Sequence, residues 1–196
     1  MILGGICLDG CDTIPEPYSK YLHIGKNVMV KTGTILCGEG FHFKKIKGKH
    51  TFNTHNFGVD IQDEVWIGSN CTVDRGRVRD TVISKGTKID NGVHISHNCI
   101  IGSDCIIATG VILLGSCEVG NGTEIWSNAI IHQGVKVGNN CAVGANTYLR
   151  HDLKDNMVAY MTSDGMVIKP ITESKKYGGG VSKKCLNGKC AADVSW

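Results

Sequence analysis

A chain of 196 residues and 21.1 kDa has room for one sizeable core with short appendages and not for two full domains. Its formal charge of +3, from 21 Lys and Arg against 18 Asp and Glu, is too small to mark a sequence-independent binder of nucleic acid or of membrane surfaces. With 20% charged and 41% hydrophobic residues, and no apolar run near the roughly 18 that a spanning helix needs, the chain reads as a soluble globular protein without a membrane span. The start, Met1 to Cys7, is mildly apolar but lacks a basic head and a small-residue cleavage site, so no secretory signal and a cytoplasmic setting are expected.

Taken along the chain, the elements share one period. Ile24, Val30 and Leu36 stand six apart; Gly38 to Gly58 departs from the period, is rich in Phe, His and Lys, and is predicted to be a loop thrown out from a corner. Ile61, Ile67 and Val73 resume the spacing, which breaks across Arg75 to Val82. From Ile83 an aliphatic residue then recurs every six positions, through Ile89, Ile95, Ile101, Ile107, Leu113, Val119, Ile125, Ile131, Val137 and Val143 to Leu149. Neither the 3.6 period of a helix nor the alternation of an ordinary strand requires this pattern. A triangular coil of short strands does, with one hexapeptide to each side and eighteen residues to a turn. The fourth residue after each aliphatic one is then also inward, and it is small: Thr87, Val93, Cys99, Cys105, Val111, Cys117, Thr123, Ala129, Val135, Cys141 and Thr147, with Val65 and Cys71 before them. Of the 10 cysteines, Cys71, Cys99, Cys105, Cys117 and Cys141 are therefore read as small core residues rather than disulfide partners. The period gives a coil domain over residues 1–149 and a C-terminal extension over 150–196, Lys- and Gly-rich at its end.

Three of the eight histidines, His94, His97 and His132, fall inside the regular coils. His97 stands two residues after an inward aliphatic residue and so points out from a rigid wall, and Gly115 comes eighteen later, one turn above, with no side chain over its N–H. A base beside a backbone donor is what acyl transfer from a thioester requires. A solvated corner histidine explains the spacing equally well. Cys185 and Cys190 are a pair with four residues between them, a weak zinc signal without a second pair.

Hexapeptides such as Ile67-Gly68-Ser69-Asn70-Cys71-Thr72 and Val137-Gly138-Asn139-Asn140-Cys141-Ala142 resemble the hexapeptide-repeat family, whose fold is all-β, a left-handed parallel β-helix. That family is mostly thioester-dependent acyltransferases, commonly trimeric with active sites between subunits. The stretches Thr72 to Gly76, Asp80 to Ile83, Ile89-Asp90-Asn91, Ile95-Ser96-His97-Asn98, Gly115-Ser116 and Met166 to Glu173, with Gly38 to Phe41, look like the N-acyltransferases of lipid A synthesis, which acylate a UDP-linked glucosamine. The resemblance implies His97 as catalytic base, Gly115 as oxyanion-hole amide, and Asp90 and Asn91 as orienting or acceptor-binding neighbours. It also implies acetyl-CoA or an acyl carrier protein thioester as donor and a nucleotide-linked amino sugar as acceptor, in a homotrimer without metal or nucleic acid. Phe41 and Phe43, beside His42, Lys44, Lys45 and Lys47, are placed on the acceptor side of the cleft, and Arg150 and Lys169 near donor phosphates. The sequence departs from that family in lacking room for a uridine-binding domain ahead of the coils, in an end too Gly-rich for a helix, and in having Gly134 rather than His132 near the place of a second histidine. The alternatives are a sugar O-acetyltransferase, a zinc enzyme of the gamma-type carbonic anhydrase kind using His97 and His132, or a noncatalytic rod. The zinc enzyme would need a third ligand where Val137 stands, and an ice-binding rod would need an outward threonine ladder that the sequence lacks.

Overall fold

Residues 20–174 are described by a computed structural model, and they wind as a left-handed parallel β-helix of about six turns. Its first face stacks Leu22–Ile24, Val59–Ile61, Thr81–Ile83, Ile100–Ile101, Glu118–Val119 and Lys136–Val137 in parallel. The second stacks Met29–Val30, Trp66–Ile67, Lys88–Ile89, Ile106–Ile107, Glu124–Ile125 and Ala142–Val143. The third stacks Ile35–Gly38, Thr72–Asp74, His94–Ile95, Ile112–Leu113, Ile130–Ile131 and Tyr148–Leu149. Register is one coil per eighteen residues, as in Ile83 beside Ile101 and Ile101 beside Val119.

The core is the line of inward aliphatic residues along the axis. From Ile83 to Leu149 each is at most 3% exposed, and burying each such side chain contributes about 1.5–3 kcal/mol. The inward fourth residues close the triangle's corners, and most of their polar groups are satisfied there, the buried Thr147 hydroxyl being without a partner among the described residues. Thr34, Thr87 and Thr123 donate to the carbonyls of Gly68, Gly102 and Gly138 at 2.6–2.8 Å and accept the N–H of Cys71, Cys105 and Cys141 at 3.0–3.1 Å. The cysteines do the same with thiols: Cys71, Cys105, Cys117 and Cys141 donate to carbonyls of the next coil at 3.0–3.1 Å.

Each corner turns through a left-handed residue three positions after the inward aliphatic one. Asn70, Asn98, Asp104, Ser116, Asn128, Asn140 and Asn146 adopt φ between 52° and 64°, and Gly86, Gly92, Gly110, Gly122 and Gly134 fill the same slot. Only Gly, Asn and Asp enter this region cheaply, which explains the repeat's composition better than surface polarity does.

Two regions are more ordered than the period alone predicts. The excursion after the first coil carries an antiparallel hairpin, Phe43–Ile46 with Lys49–Phe52, closed by Lys47 and Gly48 at φ 48° and 79°, the two positive angles of a type I′ turn. Past Leu149, where the sequence predicts the coil to end, winding continues: Leu153 is buried and bridges Val137, and Val158 and Ala159 pair with Ala142 and Val143. This last coil is two residues short of eighteen, which hides it from a search at period six. Met157–Thr162 and Gly165–Pro170 then form a hairpin that caps the second face. The Cys185 and Cys190 pair lies outside the described residues.

All six described cysteines, Cys37, Cys71, Cys99, Cys105, Cys117 and Cys141, are buried and unpaired. Thiol labelling of the folded protein therefore leaves these six unmodified, and labelling after denaturation recovers them; a Cys99–Cys117 disulfide in mass spectrometry of the native protein would contradict this packing.

Candidate active site

The corner between third and first faces gathers the groups with chemical potential. His97 follows Ile95 on the third face, half-buried, and Asn98 beside it makes the left-handed turn. The carbonyl of His97 accepts the N–H of Ser116 at 2.9 Å, which places Gly115 directly above the imidazole. A Cβ on Gly115 would lie 2.8 Å from Cε1 and 3.0 Å from Nε2 of His97, so only glycine lets the ring rest against this backbone.

Two residues after the inward aliphatic one, the N–H falls outside the ladder, and at several corners it is taken by a side chain: Ser69 donates to Asn91, Ser103 to Asn121, Asn121 to Asn139 and Asn139 to Asp155, at 2.8–2.9 Å. Gly115 has no such acceptor among the described residues. A backbone donor without an acceptor, beside a histidine, is the chemistry of an oxyanion site.

The extruded loop closes this corner from outside. Gly40 is the contact: a Cβ there would lie 2.7 Å from Nε2 of His55 and 3.0 Å from Cδ2 of His97. The His55 and His97 rings are 5.2 Å apart between centroids. His55 is fully buried, with Nδ1 3.2 Å from Oε2 of Glu39 but outside hydrogen-bond geometry, so neither ring nitrogen is hydrogen-bonded among the described residues. Glu39 also accepts the His55 N–H at 3.3 Å and pairs with Arg75, whose guanidinium lies 4.5 Å over the Tyr21 ring. Burial holds both histidines below their ordinary value near 6.5; for His97 the electrostatic influence of His55, Arg77 and His42 adds to it, while for His55 the Glu39 carboxylate opposes it. His97 is thus neutral at pH 7 and able to take a proton.

The other residues singled out from sequence lie apart from His97. Asp90 and Asn91 occupy the opposite end of the third face, at the corner with the second, in local bonds. Asp90 accepts the Asn91 N–H at 2.8 Å and the Thr109 hydroxyl, the latter chiefly holding its carboxyl low, while Asn91 accepts the Ser69 N–H at 2.8 Å. Phe41 is 89% exposed and stacks edge-on with Phe43 at 5.0 Å, and Phe43 meets Phe52, which lies 6.1 Å from His55, so an aromatic row runs from the hairpin towards the corner. Arg150 sits over Tyr148 three coils above Ser96, about 14 Å at the usual inter-strand spacing. Lys169 sits over Tyr160 in the terminal hairpin. Glu39, Gly40, His55 and Asn98 were not picked out by the repeat: three belong to the non-periodic loop, and Asn98 looks like any other corner asparagine. Among the described residues no cluster of three metal-ligating side chains occurs.

The family described as bacterial transferase hexapeptide (six repeats) matches residues 80–115 and 116–151 of this chain. Its sequence is similar to UDP-3-O-acylglucosamine N-acyltransferase of Pseudomonas fluorescens, 42% identical over 95 residues covering 48% of this chain and 27% of that one. The enzyme of the same name from Methylorubrum extorquens is 44% identical over 93 residues, 47% and 26% of the two chains. The match thus spans about a quarter of the length of these relatives. Among solved structures, UDP-N-acetylglucosamine acyltransferase of Bacteroides fragilis superposes with a TM-score of 0.65 at 21% identity, over 76% of this chain and 56% of that one. The Francisella novicida enzyme gives 0.64 at 20%, over 76% and 59%. At these identities the structures establish the fold. No helix among the described residues is long and apolar enough to cross a membrane.

Next to this corner, burial raises the Asp74 carboxyl to about 7, against a hydrogen bond from Ser96 that lowers it and the Glu39 charge that raises it further. An acid whose value is raised on folding contributes stability below its unfolded value, and this is lost as pH climbs through the folded value. Between pH 4 and 8 the wild type should therefore lose more stability than Asp74→Asn, as read from urea midpoints; equal slopes would place Asp74 in a solvated setting.

Proposed function

We propose that this protein transfers an acyl group from a CoA or acyl carrier protein thioester to the amino group of a nucleotide-linked sugar, in the cytoplasm, with His97 as general base and the Gly115 N–H as oxyanion donor. The observation that carries the reading is the Gly115 N–H, free of any side-chain acceptor and lying against an imidazole held neutral. In the reaction, His97 removes a proton from the acceptor amine as it attacks the thioester carbon, the carbonyl oxygen gathers charge beside Gly115, and the thiol departs with the proton that His97 returns. Similarity to enzymes named for acylation of UDP-linked glucosamine supports the acceptor class. The exposed row of Phe41 and Phe43 supports an apolar flank on the acceptor side.

A trimer fits the separation of the sequence-matched residues. Asp90 and Asn91 are one side of the triangle away from His97 within a chain, and flat coil sides packed around a threefold axis bring that corner of one subunit to the His97 corner of the next. Arg150 and Lys169 are assigned to donor phosphates along the same cleft.

Thiol release with acetyl-CoA and acyl carrier protein donors, tested against UDP-linked amino sugars, measures the activity. His97→Ala should lower kcat by roughly 10²- to 10⁴-fold with the trimer intact by light scattering. Unchanged turnover would remove His97 from the chemistry. Since His97 is held low, the acid limb of kcat should fall below pH 6.5, activity being lost as pH drops through the residue's own value; a limb above pH 7 would point to another base. Gly115→Val should depress turnover by driving the imidazole off the backbone.

A further inference from the structure

The excursion from the first coil ends in a hairpin that the rest of the fold leaves bare. Phe43–Ile46 and Lys49–Phe52 make a two-stranded sheet joined to no other strand among the described residues, and all eight of their residues are exposed. Only the root is pinned. There the Asn53 N–H donates to the His42 carbonyl at 2.9 Å, Phe43 and Phe52 meet edge-on, and Gly40 lies against His55 and His97. Two strands of this length bury too little to hold an independent shape in water, so the far half rests on its turn at Lys47 and Gly48. At the usual rise of a strand it stands about 14 Å out from the root.

That far half is strongly cationic. From Phe41 to Phe52 the chain has Lys44, Lys45, Lys47 and Lys49 and no Asp or Glu, more positive charge than the formal +3 of the whole chain. The balanced total conceals it. None of these lysines is in an ion pair among the described residues. The register distributes them around the tip: Lys45 lies opposite His50 on one face, Lys44 and Lys49 lie on the other with Ile46, and Lys47 is in the turn. Charge therefore surrounds the end of the hairpin, and the apolar residue among it, Ile46, is 52% exposed. A partner protein would cover a single face and leave the lysines of the other unmatched. A layer of anionic headgroups met end-on matches all of them, with acyl chains just beneath for Ile46.

We propose that this hairpin tip docks the protein on an anionic lipid bilayer, its lysines meeting headgroup phosphates and Ile46 reaching the edge of the hydrocarbon. The reach suffices, since a headgroup layer is roughly 5–7 Å deep and the hairpin about twice that. Both attractions are required: the lysines draw the tip to the negative surface, and a few charges or one short apolar side chain alone give weak, reversible contact. Lipid docking is independent of the acyl-transfer reading. Where that reading holds, docking keeps the His97 corner, at the hairpin's root, about one hairpin length from the bilayer into which an acylated product partitions.

Co-sedimentation of the full chain with vesicles of phosphatidylcholine, alone or mixed with phosphatidylglycerol, reads the docking without substrate. The wild type should bind the mixed vesicles and not the neutral ones, and lose at least about tenfold in affinity when salt rises from about 0.1 to about 1 M. Lys44→Gln, Lys45→Gln and Lys49→Gln together leave the turn intact and should weaken binding by about 10²-fold, and Ile46→Ser by about tenfold, with the light-scattering mass unchanged. Failure of the wild type to bind mixed vesicles, or equal binding to both kinds, overturns the proposal. So do variants that bind like the wild type, since the lipid contact then lies elsewhere in the chain, and variants that only raise the KM of an acyl carrier protein donor, since the tip then serves an acidic protein. Vesicle binding without acyl transfer to any sugar tried leaves the docking in place and removes the functional reading; transfer without vesicle binding does the reverse.

Discussion

The structure depends on one steric condition: a coil closes only if a residue returns directly above its counterpart, at strand spacing, with the same side chain direction. Eighteen residues satisfy it, and the aliphatic line from Ile83 to Leu149 is the record of that condition, since any polar or oversized residue on the line would open the stack. The same condition makes vertical neighbours predictable. It sets Gly115 over His97 and Asn121 under Asn139, so functional groups can be placed in contact by choosing residues eighteen apart in the chain.

That regularity is why most of the fold was legible. Twelve aliphatic residues at one spacing specify faces, register and core, and the thiols and threonines in the fourth slot follow from the narrow space left at each corner. Legibility ended where the chain departs from eighteen. Leu153 and Ala159 continue the core, but two missing residues shift them off the period. The hairpin from Phe43 to Phe52 rests on a turn at Lys47 and Gly48 rather than on any repeat.

The candidate site was legible to the same extent. His97 and Gly115 are related by the coil itself, so their meeting follows from counting. Glu39, Gly40 and His55 reach the corner by folding back of a non-periodic loop, and contacts of that kind leave no mark on local sequence. Asn98 was visible but indistinct: a left-handed corner accepts asparagine for backbone reasons, and nothing in the one-letter pattern separates an amide that merely permits the turn from one that also grips an imidazole. Asp90 and Asn91 show the converse, since within one chain their side chains are spent on neighbouring backbone and hydroxyl groups of their own corner.

The shape of the stack bears on how it comes apart. Every coil touches only the coils beside it, so the molecule resembles a zipper in which loosening spreads from the ends inward, one rung at a time. The rungs that hold His97 and Gly115 lie in the middle of the described stack, with the Met157 to Pro170 hairpin fastening one side two rungs beyond Gly115. Fraying on that side would spend its first openings on the terminal turns, and the protein would lose these in heat well before it lost the corner of His97 and Gly115.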